Sequence, residues 1–306
     1  MNELLDKLIV RIIFALFICV VLVLYKYAHA ILYPSSKLQI FKRFYPSKNS
    51  ADTLHLFARL LGIAMIYSEF YFYMSEGILI ALFDFLIVAT AAFVLYLVSL
   101  YIIDAIVLYN FEYTTEILKR KNFSYALIAF THSLGVAYLI KAVLNVSKDS
   151  LIIIAFLWLF AMVVLGFASK SYSFFSKLSF NKLLIQKSLA LAFSYSGFIW
   201  GWVFIIASAM NRPLNNLWTY TMQTLLNIML SIIIFPLFKK GIVVIFQIQN
   251  DLVAATNNNH GNLAVREAII PKVGYGIYEG TVFFAACFLT SVITGRISFG
   301  TFYPTF

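Results

Sequence analysis

The sequence predicts an all-α integral membrane protein with eight transmembrane helices, arranged as two parallel four-helix halves. Three observations predict it: the composition, eight long apolar runs, and one segment that recurs along the chain. Of the 306 residues, 62% are hydrophobic and 12% are charged, whereas a soluble domain is about 45–50% apolar and about 25% charged. So few charges cannot cover a water-exposed surface, which excludes an ordinary soluble domain, a disordered chain and a disulfide scaffold.

The eight apolar runs are each long enough for a helix that crosses a bilayer, which needs about 20 residues. They cover 8–28, 55–75, 79–109, 123–145, 150–169, 185–210, 216–248 and 264–294. Helix is the expected state, because open sheet edges cannot face lipid and a barrel strand would alternate in polarity. The first run resembles a secretory signal that ends in Ala28-His29-Ala30, but we expect it to be retained as the first helix.

The basic residues predict the orientation. Most of the 23 Lys and Arg residues fall in the loops and helix flanks on one side of the predicted spans. The positive-inside rule makes that side cytoplasmic, so both termini are expected on the outer, periplasmic side. The net charge of +10 is spread over short loops, which favours the lipid bilayer as partner and excludes nucleic acid.

One segment recurs with conserved spacing. Asn49 and Gly62 frame a stretch in which Asn, Leu, Phe, Leu and Gly stand at the same offsets as between Asn122 and Gly135. A third copy runs from Asn262 to Gly274 and is one residue shorter. Because each copy opens a helix that runs outward, we expect four helical hairpins, grouped as units 1–147 and 148–306.

The hairpin signature is an acidic residue, a short polar stretch with Asn, and then a helix that carries Gly. It reads Glu116 to Asn122 in the first unit and Asp251 to Asn262 in the second. It resembles the bacterial inner-membrane family called domain of unknown function 350. That resemblance implies two four-span units in tandem and a place in the inner membrane, and it supplies no reaction. The second unit departs from the pattern near Asn181.

Ionisable residues inside predicted spans are the candidate functional residues, because each costs about 2.5–3.5 kcal/mol at the centre of a bilayer. Glu279 and Lys272 are seven residues apart on the last span, so they share one helix face about 10 Å apart. Asp104 has Arg59 at similar depth on the preceding span, which suggests a structural ion pair. The leading hypothesis is passive movement of an ion or small polar solute along a seam lined by Glu279, Lys272 and Asp104.

A structural or scaffolding role in envelope maintenance is the alternative. In that role the basic turn Lys119, Arg120 and Lys121 would dock a peripheral cytoplasmic partner, and the intramembrane charges would only hold helices together. Gly197/Gly201 and Gly276/Gly280 have the small-xxx-small spacing of close helix packing, either within the bundle or between the subunits of a homo-oligomer. No catalytic motif occurs, the two cysteines lack metal-ligand spacing, and the four histidines are scattered. We therefore expect neither an enzyme, nor a metal, nor a cofactor.

Overall fold

The computed structural model describes residues 2–68, 70, 77–147, 150–249, 271–295 and 297–299. These residues contain ten α-helices and no strand. The helices are α1 (Asn2–Leu32), α2 (Lys37–Phe41), α3 (Ser50–Tyr67), α4 (Ile78–Val107), α5 (Phe123–Val146), α6 (Leu151–Phe175), α7 (Phe180–Ile185), α8 (Leu189–Met210), α9 (Leu217–Ile245) and α10 (Val273–Thr294). The chain is thus all-helical, as the composition predicts.

Seven of the described helices are long and apolar enough to cross a membrane: α1, α4, α5, α6, α8, α9 and α10. The predicted span 55–75 corresponds to α3, which is not among the seven. This helix has 18 residues and contains Asp52, His55 and Arg59, so it is the most polar of the expected spans. Residues 69, 71–75 and 264–270 of the expected spans lie outside the described part of the chain.

The core of the bundle is a row of four neighbouring helices, α3, α5, α8 and α10. Neighbours in this row run parallel. Contacts of α5 with α8 advance in the same direction along both helices, from Ser124–Lys187 to Thr131–Ser196. The same holds for α3 with α5, from Lys48–Lys121 to Gly62–Ser133, and for α8 with α10, from Ala190–Gly276 to Gly201–Cys287. The returning helices lie outside the row. Accordingly, 67% of the α5 and α8 spans is buried, against 17% of the α1 and α9 spans. The outer helices therefore present most of their apolar surface to lipid.

The row is fixed at one end by the turns that precede its helices. Asn49 and Asn122 cap α3 and α5, because their side-chain oxygens accept from the backbone N–H groups of Asp52 and Tyr125. The same two amides also donate across to the next turn along the row, Asn49 to the carbonyl of Ile117 at 2.8 Å. Asn122 donates in the same way to the carbonyl of Leu184 at 2.9 Å.

A lysine in the left-handed backbone region stands just before two of these helices, Lys121 (φ 50°) before α5 and Lys187 (φ 56°) before α8. Each lysine reaches back to the preceding turn. Lys121 Nζ donates to the carbonyl of Lys48 at 3.1 Å, and Lys187 Nζ donates to the carbonyl of Arg120 at 2.6 Å. The turns before α5 and α8 thus share one backbone conformation at this lysine, and each is hydrogen-bonded to the preceding turn.

Glycines bring α8 and α10 into backbone contact. A Cβ at Gly197 or Gly280 would overlap the backbone of the facing helix, and one at Gly201 would collide with Cys287. A Cβ at Gly276 would overlap the backbone of Ala190. The small-xxx-small segments therefore pack on each other inside the bundle.

The three glycines of the predicted repeats do not occupy equivalent positions along their helices. Gly62 and Gly135 lie far along α3 and α5, where a Cβ would meet Tyr96 and Val203 respectively. Gly274 lies in the first turn of α10, and a Cβ there would meet nothing within 4 Å. It therefore does not occupy the position of the other two. Asn262 lies outside the described residues.

Candidate functional site

A buried polar cluster surrounds Arg59, whose side chain is 2% exposed. Its guanidinium donates to Nδ1 of His55 at 2.9 Å and to the hydroxyl of Tyr33 at 2.7 Å. It also forms an ion pair with Asp104, at 3.2 Å. The pair that similar depth suggested from the sequence is thus in direct contact. Among the described residues Asp104 is the one carboxylate paired with this buried guanidinium, which favours a structural role for the pair.

Asp104 joins a third helix to the pair. While Oδ2 faces Arg59, Oδ1 lies 3.5 Å from Nδ1 of His132 on α5. The other ring nitrogen of His132 lies 3.0 Å from the hydroxyl of Tyr195 on α8. Asp104 is 17% exposed, so it is more accessible than Arg59 and His132. One carboxylate therefore connects α3, α4 and α5.

Two more histidines belong to the same cluster. The rings of His29 and His55 lie 5.9 Å apart, and both pack against the ring of Tyr113. Tyr25 lies within 3.2 Å of His29 Nδ1. The Nε2 atoms of both histidines are buried without a hydrogen-bond partner among the described residues. Sequence reasoning missed this cluster, because its histidines come from three different helices and no spacing links them.

A buried acidic group, Asp52, lies in the first turn of α3, ahead of the predicted span 55–75. Asp52 accepts from the hydroxyl of Tyr113 at 2.6 Å. Burial raises the pKa of Asp52 above its usual range, and the hydrogen bond from Tyr113 opposes the rise. Burial and the neighbouring Asp52 both raise the pKa of the Tyr113 phenol. Burial likewise raises the pKa of Tyr33 to about 12, against the opposing effect of Arg59. These phenols therefore act as neutral hydrogen-bond donors at physiological pH.

Glu279 forms a second polar site, between α6, α8 and α10. Its carboxylate is 5% exposed, and its Oε2 accepts from Ser176 at 2.8 Å and also from Ser194. Ser194 in turn accepts from the hydroxyl of Tyr172 at 2.8 Å. One oxygen of this carboxyl group thus accepts from two serine hydroxyls, each on a different segment of the chain. Glu279 is thus buried inside the bundle, as its place in an apolar span suggests, and two serine hydroxyls bond its side chain.

Lys239 on α9 places a cation beside this site. Its Nζ donates to the carbonyl of Phe175 at 2.8 Å, beside Ser176, and lies 4.1 Å from the ring centroid of Phe283. Phe283 is one turn beyond Glu279 on α10, and the two charges interact electrostatically. In the sequence Lys239 lies towards the end of the apolar run 216–248, and Glu279 lies in the next run. No spacing pattern connects the two residues, so the sequence did not predict their proximity.

Lys272 lies elsewhere. It is exposed and stands just before the first residue of α10, where it occupies the N-cap position. The expectation of two charges on one face of a continuous span is therefore not met, because the helix begins after Lys272. The basic turn is only partly free: Lys119 and Lys121 are exposed, while Arg120 pairs with Glu116 at 2.6 Å and donates to the carbonyl of Ile185.

A stripe of buried polar side chains runs along α9 from the opposite end of the bundle. Thr224, Asn227 and Ser231 are fully buried, and their spacing places them on one helix face. Ser231 bonds Thr294 on α10 at 2.9 Å. Neither polar atom of the Asn227 amide finds a hydrogen-bond partner in the described part of the chain. A buried polar group without a hydrogen bond typically destabilises a fold by about 1–3 kcal/mol. Asn227 is therefore unfavourable for stability alone.

The Thr224 end of the stripe lies next to a recess in the surface. A recess of about 450 Å³ lies where α9 begins and α10 ends, and Arg212 and Gln223 are among its lining residues. Arg212 donates to Gln223 at 3.2 Å and to the carbonyl of Ile297 at 2.6 Å. From Thr224 to Lys239 the α9 axis rises about 22 Å. The stripe and the Glu279 site together thus follow α9 for most of the thickness of a bilayer core.

Four phenylalanine rings separate the stripe from the Glu279 site. Phe235 contacts Phe175 with ring centroids 5.0 Å apart and Phe283 at 6.1 Å. Phe198 contacts Phe283 at 5.1 Å. All except Phe175 are fully buried. A phenylalanine cluster, formed by Phe175, Phe198, Phe235 and Phe283, therefore lies between the polar stripe of α9 and the Glu279 site.

The Arg59 cluster and the Glu279 site meet through two tyrosines. Tyr195 faces His132, and its ring lies 5.1 Å from that of Tyr172. Tyr172 donates to Ser194, which donates to Glu279. This connection runs from helix to helix, perpendicular to the helix axes, and not along them. Asp104 therefore belongs to a lateral network and not to the α9–α10 stripe. Among the described residues no group of three or more His, Cys, Asp and Glu side chains is arranged to hold a metal.

These features define a multi-pass helical membrane protein with buried polar groups between its helices. Residues 3–144 match the model of the family described as Domain of Unknown Function (DUF350). The resemblance suggested by the hairpin signature is thereby confirmed over those residues, and the tandem second unit stays a prediction. No curated protein and no solved structure matches the chain.

Proposed function

We propose that this chain is a non-enzymatic, eight-span protein of the bacterial inner membrane that lets an ion or a small polar solute cross along the α9–α10 interface. In this proposal the run 55–75, which begins within α3, is the eighth span, the halves 1–147 and 148–306 are parallel, and both termini are periplasmic. The observation that carries it is the buried polar stripe of α9, which leads from the Arg212 recess towards Glu279. Polar groups within a membrane bundle face protein or water rather than lipid.

Within this route Glu279 is the binding residue for the moving species. Its carboxylate is buried beside the hydroxyls of Ser176 and Ser194, which offers oxygen ligands to a cation or a proton. Lys239 would balance its charge when the site is empty. The proposed route does not include Asp104 or Lys272, the other two residues of the seam predicted from the sequence. Asp104 contacts Arg59 and His132 instead, and Lys272 stands before the first residue of α10.

A flux assay in liposomes tests the proposal. Purified protein is reconstituted, and the flux of protons, Na⁺ and K⁺ is followed with wild type and Glu279→Gln. Glu112→Gln is the matched control, because Glu112 is exposed and the chemical change is identical. We expect flux with wild type and the control and at least a tenfold loss with Glu279→Gln. Equal flux from all three proteins, or none from wild type, contradicts the proposal.

The alternative is a scaffolding subunit that docks a peripheral cytoplasmic partner, and the exposure of Lys119 and Lys121 favours it. Both side chains lie in the turn that joins α4 to α5. If this is the function, then Lys119→Glu removes a stoichiometric partner in affinity capture from mild detergent while ion flux stays absent. An Asp84→Asn variant, changed on an exposed side chain of α4, should keep that partner.

A further inference from the structure

The groove between the end of α1 and α2 combines apolar walls with cations at its edge. It has a volume of about 280 Å³ and is lined by Tyr27, Ala30, Ile31, Lys37 and Phe41. Ile31 is 77% exposed and Tyr27 is 54% exposed, so the groove opens to the outside of the bundle. Its walls lie at the end of an apolar span, where a bilayer changes from acyl chains to headgroups.

The edge of the groove is strongly basic. Lys26 lies 5.0 Å from the ring centroid of Phe41, and Lys37 lines the groove itself. Lys42, Arg43 and Lys48 follow within a few residues, and all five cations are exposed. The chain has no Asp or Glu between residues 7 and 51. This segment therefore carries an unbalanced positive charge, which is complementary to an anion and not to a zwitterion.

The apolar walls continue along one side of α1. Val20, Val23 and Leu24 are each at least half exposed, and only 17% of the α1 span is buried in the bundle. An acyl chain that leaves the groove can thus lie along α1 towards the middle of the membrane. A free anion would gain nothing from these walls, whereas a phospholipid would contact both the walls and the cations.

From these contacts we propose that the α1–α2 groove is a binding site for a phospholipid with an anionic headgroup. Lys26 and Lys37 hold the phosphate and any further headgroup charge, while Tyr27, Ile31 and Phe41 contact the upper part of the acyl chains. The proposal is independent of the flux proposed for the α9–α10 interface, because the groove lies on α1 and α2.

Native mass spectrometry of the full chain in mild detergent tests the site. Phosphatidylglycerol, phosphatidylcholine and inorganic phosphate are added separately to wild type and to the double variant Lys26→Gln/Lys37→Gln. Each headgroup cation is worth about a fivefold change in affinity. The double variant should therefore bind phosphatidylglycerol roughly 30-fold more weakly, with little change for phosphatidylcholine. Wild type should retain no inorganic phosphate.

The matched control is Lys177→Gln/Lys182→Gln, which removes the same charge from two exposed lysines between α6 and α8. We expect it to bind phosphatidylglycerol like wild type. An equal loss in both double variants would show general charge attraction and overturn the site, and so would binding of inorganic phosphate as tight as that of the lipid. Phe41→Ala should weaken binding of phosphatidylglycerol without any change of charge, and unchanged binding would also overturn the proposal.

Discussion

Arg59 and His132 approach the two oxygens of one carboxylate from equivalent positions on neighbouring parallel helices. Arg59 stands ten residues after the capping Asn49, and His132 stands ten residues after the capping Asn122. The first lies 3.2 Å from Oδ2 of Asp104, and the second lies 3.5 Å from Oδ1. The recurrence seen in the sequence thus places a basic side chain at the same level of α3 and α5, and Asp104 on α4 joins them.

Removal of the Asp104 charge should destabilise the bundle. Asp104→Asn keeps the side-chain shape but leaves the buried Arg59 cation without its carboxylate, and such a loss typically costs about 3 kcal/mol or more. We expect the midpoint of thermal unfolding in detergent to fall by roughly 5–10 °C. Asp84→Asn is the control, because Asp84 is exposed on the same helix. Equal midpoints for the two variants would mean that Asp104 does not stabilise Arg59.

The sequence predicts the helical membrane fold and the Arg59–Asp104 contact for simple physical reasons. Long apolar runs must form helices in lipid, because a helix satisfies all its backbone hydrogen bonds internally. Two opposite charges at one depth on consecutive spans are expected to pair with each other. The glycine spacing on α8 and α10 likewise marks the close packing of these helices. Each of these features depends on local pattern and on depth, both of which the sequence contains.

The sequence cannot predict what depends on which helices become neighbours. Lys239 and Glu279 are brought together by the packing of α9 on α10, and His29 meets His55 only because α1 packs beside α3. The place of Lys272 was missed for a different reason. Hydropathy does not show where within 264–294 the helix begins, and α10 begins just after Lys272.

Glu279 and Lys239 should be coupled in stability. Loss of either charge leaves the other without compensation inside the bundle, whereas loss of both removes the penalty. In a double-mutant cycle with Glu279→Gln and Lys239→Gln, we expect the double variant to lose at least about 1 kcal/mol less than the two single losses added. Lys240→Gln replaces Lys239→Gln in the control cycle, since Lys240 is adjacent and exposed. That cycle should be additive, and two additive cycles would refute the coupling.

Glycine substitutions in α10 should have opposite outcomes at two positions. Gly280→Ala adds a Cβ that overlaps the backbone of Phe193, so α8 and α10 must separate. We expect a loss of about 1–3 kcal/mol, seen as a lower thermal midpoint in detergent. Gly274→Ala meets no neighbour and gains helix propensity, so its midpoint should be unchanged or slightly higher. A similar fall for both would mean that the contact between α8 and α10 is not close.

Asp52 should make stability depend on pH. Its pKa is raised by burial, so the native state holds the proton more tightly than the unfolded state does. Its contribution is therefore fully present below the ordinary Asp pKa of about 3.9 and is lost as the pH rises through the raised native value. Asp52→Asn cannot ionise, so its thermal midpoint should exceed that of wild type by a margin that grows from about pH 4 to pH 7. Exposed Glu112→Gln should follow wild type, and parallel curves for all three proteins would contradict the sign.

Phe235 should limit flux if the α9–α10 interface is the route. Its fully buried ring contacts Phe175 and Phe283, and a smaller side chain would open space between the polar stripe and Glu279. We expect Phe235→Ala to raise ion flux in liposomes several-fold. Because a core Phe→Ala change typically costs about 3–5 kcal/mol, Phe235→Leu is measured beside it and should give a smaller increase in a more stable protein.

Two further variants decide whether such an increase arises from the route itself. Phe174→Ala removes an aromatic ring that is 85% exposed on α6, so it should leave flux unchanged. Phe235→Ala combined with Glu279→Gln should lose the added flux, because an ion that passes the opened phenylalanine cluster still needs the carboxylate beyond it. If the combined variant conducts as well as Phe235→Ala alone, the leak bypasses Glu279. The stripe of α9 would then serve packing between helices instead of conduction.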